Sequence, residues 1–179
     1  MKTIMIILVA LISINVAAQR ITFHLDEMTD KYYYFYEHDD NEPKALLISN
    51  NGIHGLVLRI FFKETGKTSF NPHPTPQTIF ITMALEGLGC VEYGFVIFLF
   101  KDGSKLQLSN WNDFDCEGAF YFTPSKEDWN ELYSKEINKI MVEDGRSHSS
   151  YTDIFPDSQY FIKFNKALKV PAIQNQLEE

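Results

Sequence analysis

The chain is short of the residues from which most recognisable sites are built. It has 179 residues, with two cysteines and five histidines. The histidines, His24, His38, His54, His73 and His148, share no spacing. There is no HExxH pair for zinc, no GxSxG elbow for a nucleophile and no phosphate-cradling glycine loop. Basic charge is in deficit, with 16 Lys and Arg against 24 Asp and Glu, a net of −8. That balance disfavours nucleic acid and anionic membrane as partners. The longest apolar run, at the N-terminus, would serve as a transmembrane anchor only if it were longer, for its roughly 11 to 15 residues fall short of the ~20 that a span needs. No internal repeat or low-complexity linker divides the sequence, which argues for one domain.

What is present begins with an address. Met1-Lys2 supplies a positive start, Ile4 to Ile14 an apolar stretch, and Val16-Ala17-Ala18 small residues at the −3 and −1 positions. This pattern predicts a secretory signal peptide over 1–18, cleaved after Ala18 to leave Gln19 first, and no stable membrane insertion thereafter. Removal takes away only Lys2 among the charged residues, so the net charge moves from −8 to −9. No cysteine follows the small residues, so no lipoprotein anchor is indicated. The expected location is secreted or periplasmic. In such an oxidising compartment, Cys90 and Cys116 are most simply one disulfide. A free buried thiol, or a nucleophile with a distant histidine, are the other readings.

From Gln19 the patterning is that of strands. Ile21–Leu25, Lys31–Tyr36, Ala45–Ser49, His54–Lys63 and Thr78–Leu85 are rich in β-branched, aromatic and alternating residues. Asn50-Asn51-Gly52 marks a hairpin, Glu64–Lys67 a tight turn, and the three prolines of 72–76 a connection. The five aromatics of Tyr32–Tyr36 place rings on both faces of a strand, as core packing does, though an exposed row would suit sugars or peptides. Val91–Phe100 and Leu106–Leu108 flank Asp102-Gly103, which suggests a two-residue turn. That turn sets Leu99 opposite Leu106 and Ile97 opposite Leu108 on an apolar face. Phe98 and Phe100 fall on the other. The last third adds Ala119–Phe122 and a helix opened by Ser125 with Asp128 at capping-box spacing. It then has a strand through Ile137, Ile140 and Val142, an edge strand from Tyr151, and a closing helix over 157–169 with Phe161, Phe164 and Leu168 inward. The expected fold is α+β and predominantly antiparallel β, a sandwich or open barrel with two helices in the C-terminal third. One domain spans 19–170, with a frayed tail over 171–179.

Two loops offer polar chemistry. Asn110–Gly118 combines oxygen ligands with Trp111, so Trp111, Asn112, Asp113 and Asp115 are candidate ligand-binding residues, for a calcium ion or a cleft, although a disulfide-pinned polar connection explains the loop equally well. Arg146–Asp153 concentrates hydroxyls around His148, a further candidate. Adjacent residues on a turn rarely point together as a nucleophile and base must, so a solvated loop is the simpler account. The acidic stretch Glu37–Pro43 lacks the alternation of a calcium loop.

Several features together resemble a loose group of small exported bacterial β-rich proteins of unknown function. They are the signal peptide, the Cys90 strand with Lys101-Asp102-Gly103, Cys116, the helix from Ser125, and Ile137-x-x-Ile140-x-Val142. The resemblance spans roughly Leu88 to Leu168 and brings no catalytic residues with it. The expectation is an exported non-enzymatic module, needing no cofactor or metal, that binds a protein or small ligand or serves the envelope. The alternatives are a small secreted hydrolase with a site near loops 110–118 and 146–153, and an acidic inhibitor or immunity-type protein masking a basic partner.

Overall fold

The computed structural model describes residues 19–37, 45–49, 55–63, 65–66, 70–74, 79–85 and 89–174. The expected signal peptide 1–18, the acidic loop with His38, the turn at 50–52, His54 and the end of the tail at 175–179 lie outside the described residues.

The fold is β-rich, with three four-stranded sheets and two helices in the C-terminal third. One sheet has β1 (Arg20–Asp26) and β2 (Lys31–Glu37) at its centre. These are flanked by the two-residue strands β5 (Thr65–Gly66) and β12 (Ile173–Gln174). A second sheet runs β3 (Ala45–Ser49), β4 (Leu56–Phe62), β6 (Ile79–Leu85) and β9 (Ala119–Phe122). In the third, β7 (Phe95–Phe100) and β10 (Ile137–Glu143) lie centrally between β8 (Lys105–Ser109) and β11 (Ser150–Ile154). All pairings are antiparallel except that of β12 with β1.

The alternating residues decide where the core sits. Leu56, Leu58, Ile60 and Phe62 of β4 are buried while Arg59 and Phe61 face water. With Ile81 and Met83 of β6, Phe120 and Phe122 of β9, and Val96 and Phe98 of β7, they form one apolar cluster. The helices fill its far end. Helix α1 (Lys126–Ser134) starts at the expected capping box, in which Asp128 N–H donates to Ser125 Oγ and Ser125 N–H donates to Asp128. Its Trp129 and Leu132 are buried. Helix α2 (Tyr160–Leu168) ties the sheets together. Phe161 packs 5.7 Å from Phe98 of the third sheet, and Phe164 packs 4.9 Å from Tyr36 of the first and 6.1 Å from Phe62 of the second. Glu136 pins the same end. It accepts from Lys101 Nζ, Gln159 Nε2 and Ser158 Oγ, and these donors hold its carboxyl down at about 2.

Three details depart from the sequence reading. Thr65-Gly66, expected as a turn, pairs with Tyr32 and Lys31 of β2. Ile173 and Gln174, within the stretch read as a frayed tail, pair with Thr22 and Phe23. The β7–β8 hairpin differs by one residue. Its loop has three residues, because Gly103 N–H donates to Phe100 O and Phe100 N–H donates to Ser104 O. Within the loop only Gly103 has a positive φ, 87°, so this is not the type I′ turn that needs two. Asp102 Oδ1 accepts from both the N–H and the hydroxyl of Ser104, which steadies the extra residue. Phe98 therefore faces Leu106, and Leu99 faces Lys105. A one-residue slip exchanges the faces of a strand. Phe98, Phe100, Leu106 and Leu108 are buried, and Ile97 and Leu99 lie on the half-buried outer face.

Candidate binding face at the disulfide end

At the end of the sandwich away from the helices, three loops meet: 89–94 before β7, 110–118 after β8, and 144–149 after β10. Val91 and Asp115 exchange both of their backbone hydrogen bonds, at 2.7 and 2.9 Å. Cys90 and Cys116 are thereby directly opposed, and they form the expected disulfide.

Asn110 locks the first two loops together. It is buried, its backbone N–H donates to Gly94 O, and its side-chain amide donates to Tyr93 O (2.7 Å) and Asn112 O (3.0 Å). Its Oδ1 accepts from the N–H of Asn112 (3.2 Å) and of Tyr121 (2.8 Å) in β9. Trp111 N–H donates to Tyr121 O at 3.1 Å, so this corner also stitches the third sheet to the second.

Asp144 locks the third loop to the first. Its carboxylate accepts from the N–H groups of Glu92, Arg146 and Ser147 and from Ser147 Oγ at 2.6 Å. Ser147 thus gives its proton to Asp144 rather than to His148. Burial works to raise the Asp144 pKa, but these donors outweigh it and hold the carboxyl below its ordinary value. The loops approach so closely that side chains are excluded between them. A Cβ on Gly94 would overlap Glu143 O, and one on Gly145 would sit 2.6 Å from Glu92 O.

On this fixed backbone three aromatic rings face water: Tyr93 at 55 % exposure, Trp111 at 58 % and Phe114 at 54 %. Trp111 leans on Tyr121, with ring centroids 5.2 Å apart. The Arg146 guanidinium lies 6.0 Å from the Phe114 ring centroid and so joins the third loop to the face. Burial raises the Tyr121 pKa, and the charges on Asp115 and Glu117 raise it further.

Four of the five candidate ligand residues, Trp111, Asn112, Asp113 and Asp115, lie in the one loop, and His148 lies in the adjoining turn. They differ in what is left for a ligand. Asp115 Oδ1 accepts from Glu117 and Ala119 N–H, and Asn112 Nδ2 donates to Asp115 Oδ2, so both are engaged in shaping the loop. Trp111, Asp113 and His148 are exposed. His148 has a positive φ of 53°. Among the described residues, no three His, Cys, Asp or Glu side chains gather as a metal ion would require. Sequence reasoning placed Tyr93 inside a strand and did not single out Phe114 or Arg146 as site residues. The available signal was Gly94 inside the strand-like run, since Tyr93 and Gly94 take successive positive φ angles (54° and 92°) and β7 begins only at Phe95.

Comparison of the chain with protein-family models, with curated proteins and with solved structures finds no match in any of the three.

Proposed function

We propose that this chain is an exported, non-enzymatic binding module that meets its ligand or partner with the disulfide end. The observation that carries the reading is the exposure of Tyr93, Trp111 and Phe114 together on loops whose backbone is fixed by a disulfide, Asn110 and Asp144. Exposed rings held in place lose little conformational entropy on binding, which is why aromatic side chains dominate recognition surfaces. Secretion or a periplasmic location is supported by the N-terminal pattern and by the disulfide, which persists in oxidising compartments. No helix among the described residues is long and apolar enough to cross a membrane.

The test is amide chemical-shift mapping of the disulfide-bonded chain against three probes: chitohexaose, an Arg–Gly repeat peptide and a Glu–Gly repeat peptide. The expected outcome is saturable shifts for at least one probe, concentrated at residues 92–94, 111–117 and 146. Responses confined to other surfaces contradict the assignment. So does His148-dependent turnover of ester or glycoside substrates, which would favour the hydrolase.

A further inference from the structure

The charges around the three rings point to the chemistry of the partner, given that the disulfide end is the binding face. Among the described residues of the three loops and the adjoining end of β10 there is one Arg or Lys, Arg146, against Glu92, Asp113, Asp115, Glu117, Glu143 and Asp144. Asp144 is buried and internally satisfied, and Asp115 is engaged by backbone donors. The Glu92, Asp113 and Glu117 side chains have no ion-pair partner among the described residues. Each exposed ring then has an unpaired carboxylate nearby in the chain: Glu92 beside Tyr93, and Asp113 between Trp111 and Phe114. In the hairpin and helices of the opposite end, six lysines (Lys101, Lys126, Lys135, Lys163, Lys166 and Lys169) are matched by as many acids, several of them in ion pairs. The loops that carry the exposed rings therefore hold an excess of negative charge that the hairpin and helices do not.

We infer that this face recognises an arginine-bearing basic segment of a partner protein. A guanidinium stacks on an aromatic face and pairs with a carboxylate in the same approach, which neither a neutral sugar nor an acidic peptide does. Arg146 above Phe114 is an example of the ring contact within the molecule itself. Arginine is preferred to lysine because the planar group satisfies ring and carboxylate together. Excess negative charge at the face also steers a basic partner toward it over roughly a Debye length, ~10 Å at 0.1 M salt.

The experiment is titration calorimetry of the disulfide-bonded chain with the Arg–Gly peptide. Its Lys–Gly and citrulline–Gly counterparts, chitohexaose and the Glu–Gly peptide serve as comparisons. The expected order is arginine tightest, lysine weaker, and citrulline at least about tenfold weaker than arginine, with affinity falling as salt rises. Trp111→Ala is expected to weaken the arginine peptide about tenfold or more, with Trp111→Phe restoring part of it. Asp113→Asn with Glu117→Gln is expected to weaken it several-fold while the melting temperature holds. Equal binding of the arginine and citrulline peptides, or affinity indifferent to these substitutions, overturns the inference. If chitohexaose or the Glu–Gly peptide shifts the amides of Tyr93, Trp111 and Phe114 and the arginine peptide does not, the binding face stands and the basic partner falls. If no probe reaches those amides, both readings fall.

Discussion

Asp144 is 2 % exposed and carries a charge that the fold depends on. Four donors converge on its carboxylate, and one of them, Glu92 N–H, comes from a residue 52 positions away. The carboxyl titrates below its ordinary value of 3.8, the value expected in the unfolded chain. Its stabilisation is therefore present in full above 3.8 and is lost as pH falls through the lower folded-state value. Replacing Asp144→Asn removes the charge and turns an amide N–H₂ toward groups that are themselves donors. The expected cost is about 2 kcal/mol at neutral pH, in the range for hydrogen bonds to a charged group. Denaturant melts should show this gap at pH 7 and a narrowing one as pH falls below 3.8 and the wild-type carboxyl takes up its proton. A gap that stays constant as the carboxyl protonates would mean that the charge is not what holds the loop. Asp144-Gly145 is in sequence a local turn signal. The partner in another loop was not legible, since nothing within a few residues encodes a long-range contact.

At the scale of the element, the β7–β8 hairpin shows how a correct turn signal yields a wrong face. Asp102-Gly103 does reverse the chain, and both flanking strands form where their β-branched and aromatic residues place them. Residues 95–100 are apolar without interruption, so no polar position marks the outer side and the register rests on the loop alone. Three residues rather than two moved Phe98 and Phe100 into the core. In β4, Arg59 interrupts the pattern, and simple alternation puts Leu56, Leu58, Ile60 and Phe62 on the face away from it, which is the buried one. Two glycines of this region differ in a measurable way. Gly103 has a positive φ, but an added Cβ would meet nothing within 4 Å. Gly103→Ala is therefore expected to cost only the backbone term, about 1–2 kcal/mol. Gly94 has a positive φ, 92°, and a Cβ there would overlap Glu143 O, so the loops must part. Gly94→Ala should cost about 3 kcal/mol or more, from backbone and overpacking together. Urea unfolding of the two variants checks the order, and equal losses would show that Gly94 is needed only for its φ.

Viewed whole, the sandwich is closed differently at its two ends. At one, Phe161 and Phe164 of α2 bind three sheets through aromatic contacts, and Glu136 gathers three donors. At the other, no helix contributes among the described residues, and the loops are held by polar networks and the Cys90–Cys116 bond. The spacing of turn signals and the two late amphipathic stretches made the class of fold readable. The order of strands within each sheet was not, because hydrophobic alternation identifies a buried face without naming the neighbour across it. The same asymmetry made the binding face hard to foresee, since Tyr93 lies in one loop and Trp111 and Phe114 in another, with the whole β7–β8 hairpin between them in sequence. It also predicts how the molecule responds to losing the disulfide. The bond closes a loop of 26 residues, for which the chain-entropy model gives up to about 3.5 kcal/mol. For a chain of this size that corresponds to a fall in melting temperature of roughly 7–14 °C. Because the helix-filled core does not depend on the bond, Cys90→Ser with Cys116→Ser should still melt cooperatively. The damage should be local, with faster amide exchange at Val91 and Asp115, which exchange backbone hydrogen bonds beside the bridge, and unchanged protection at Ile81 and Phe98. Calorimetry and hydrogen-exchange NMR of the double variant separate the outcomes. A non-cooperative melt, or protection lost equally at Phe98, would mean that the two ends fold as one unit and that the disulfide supports the core as well as the face.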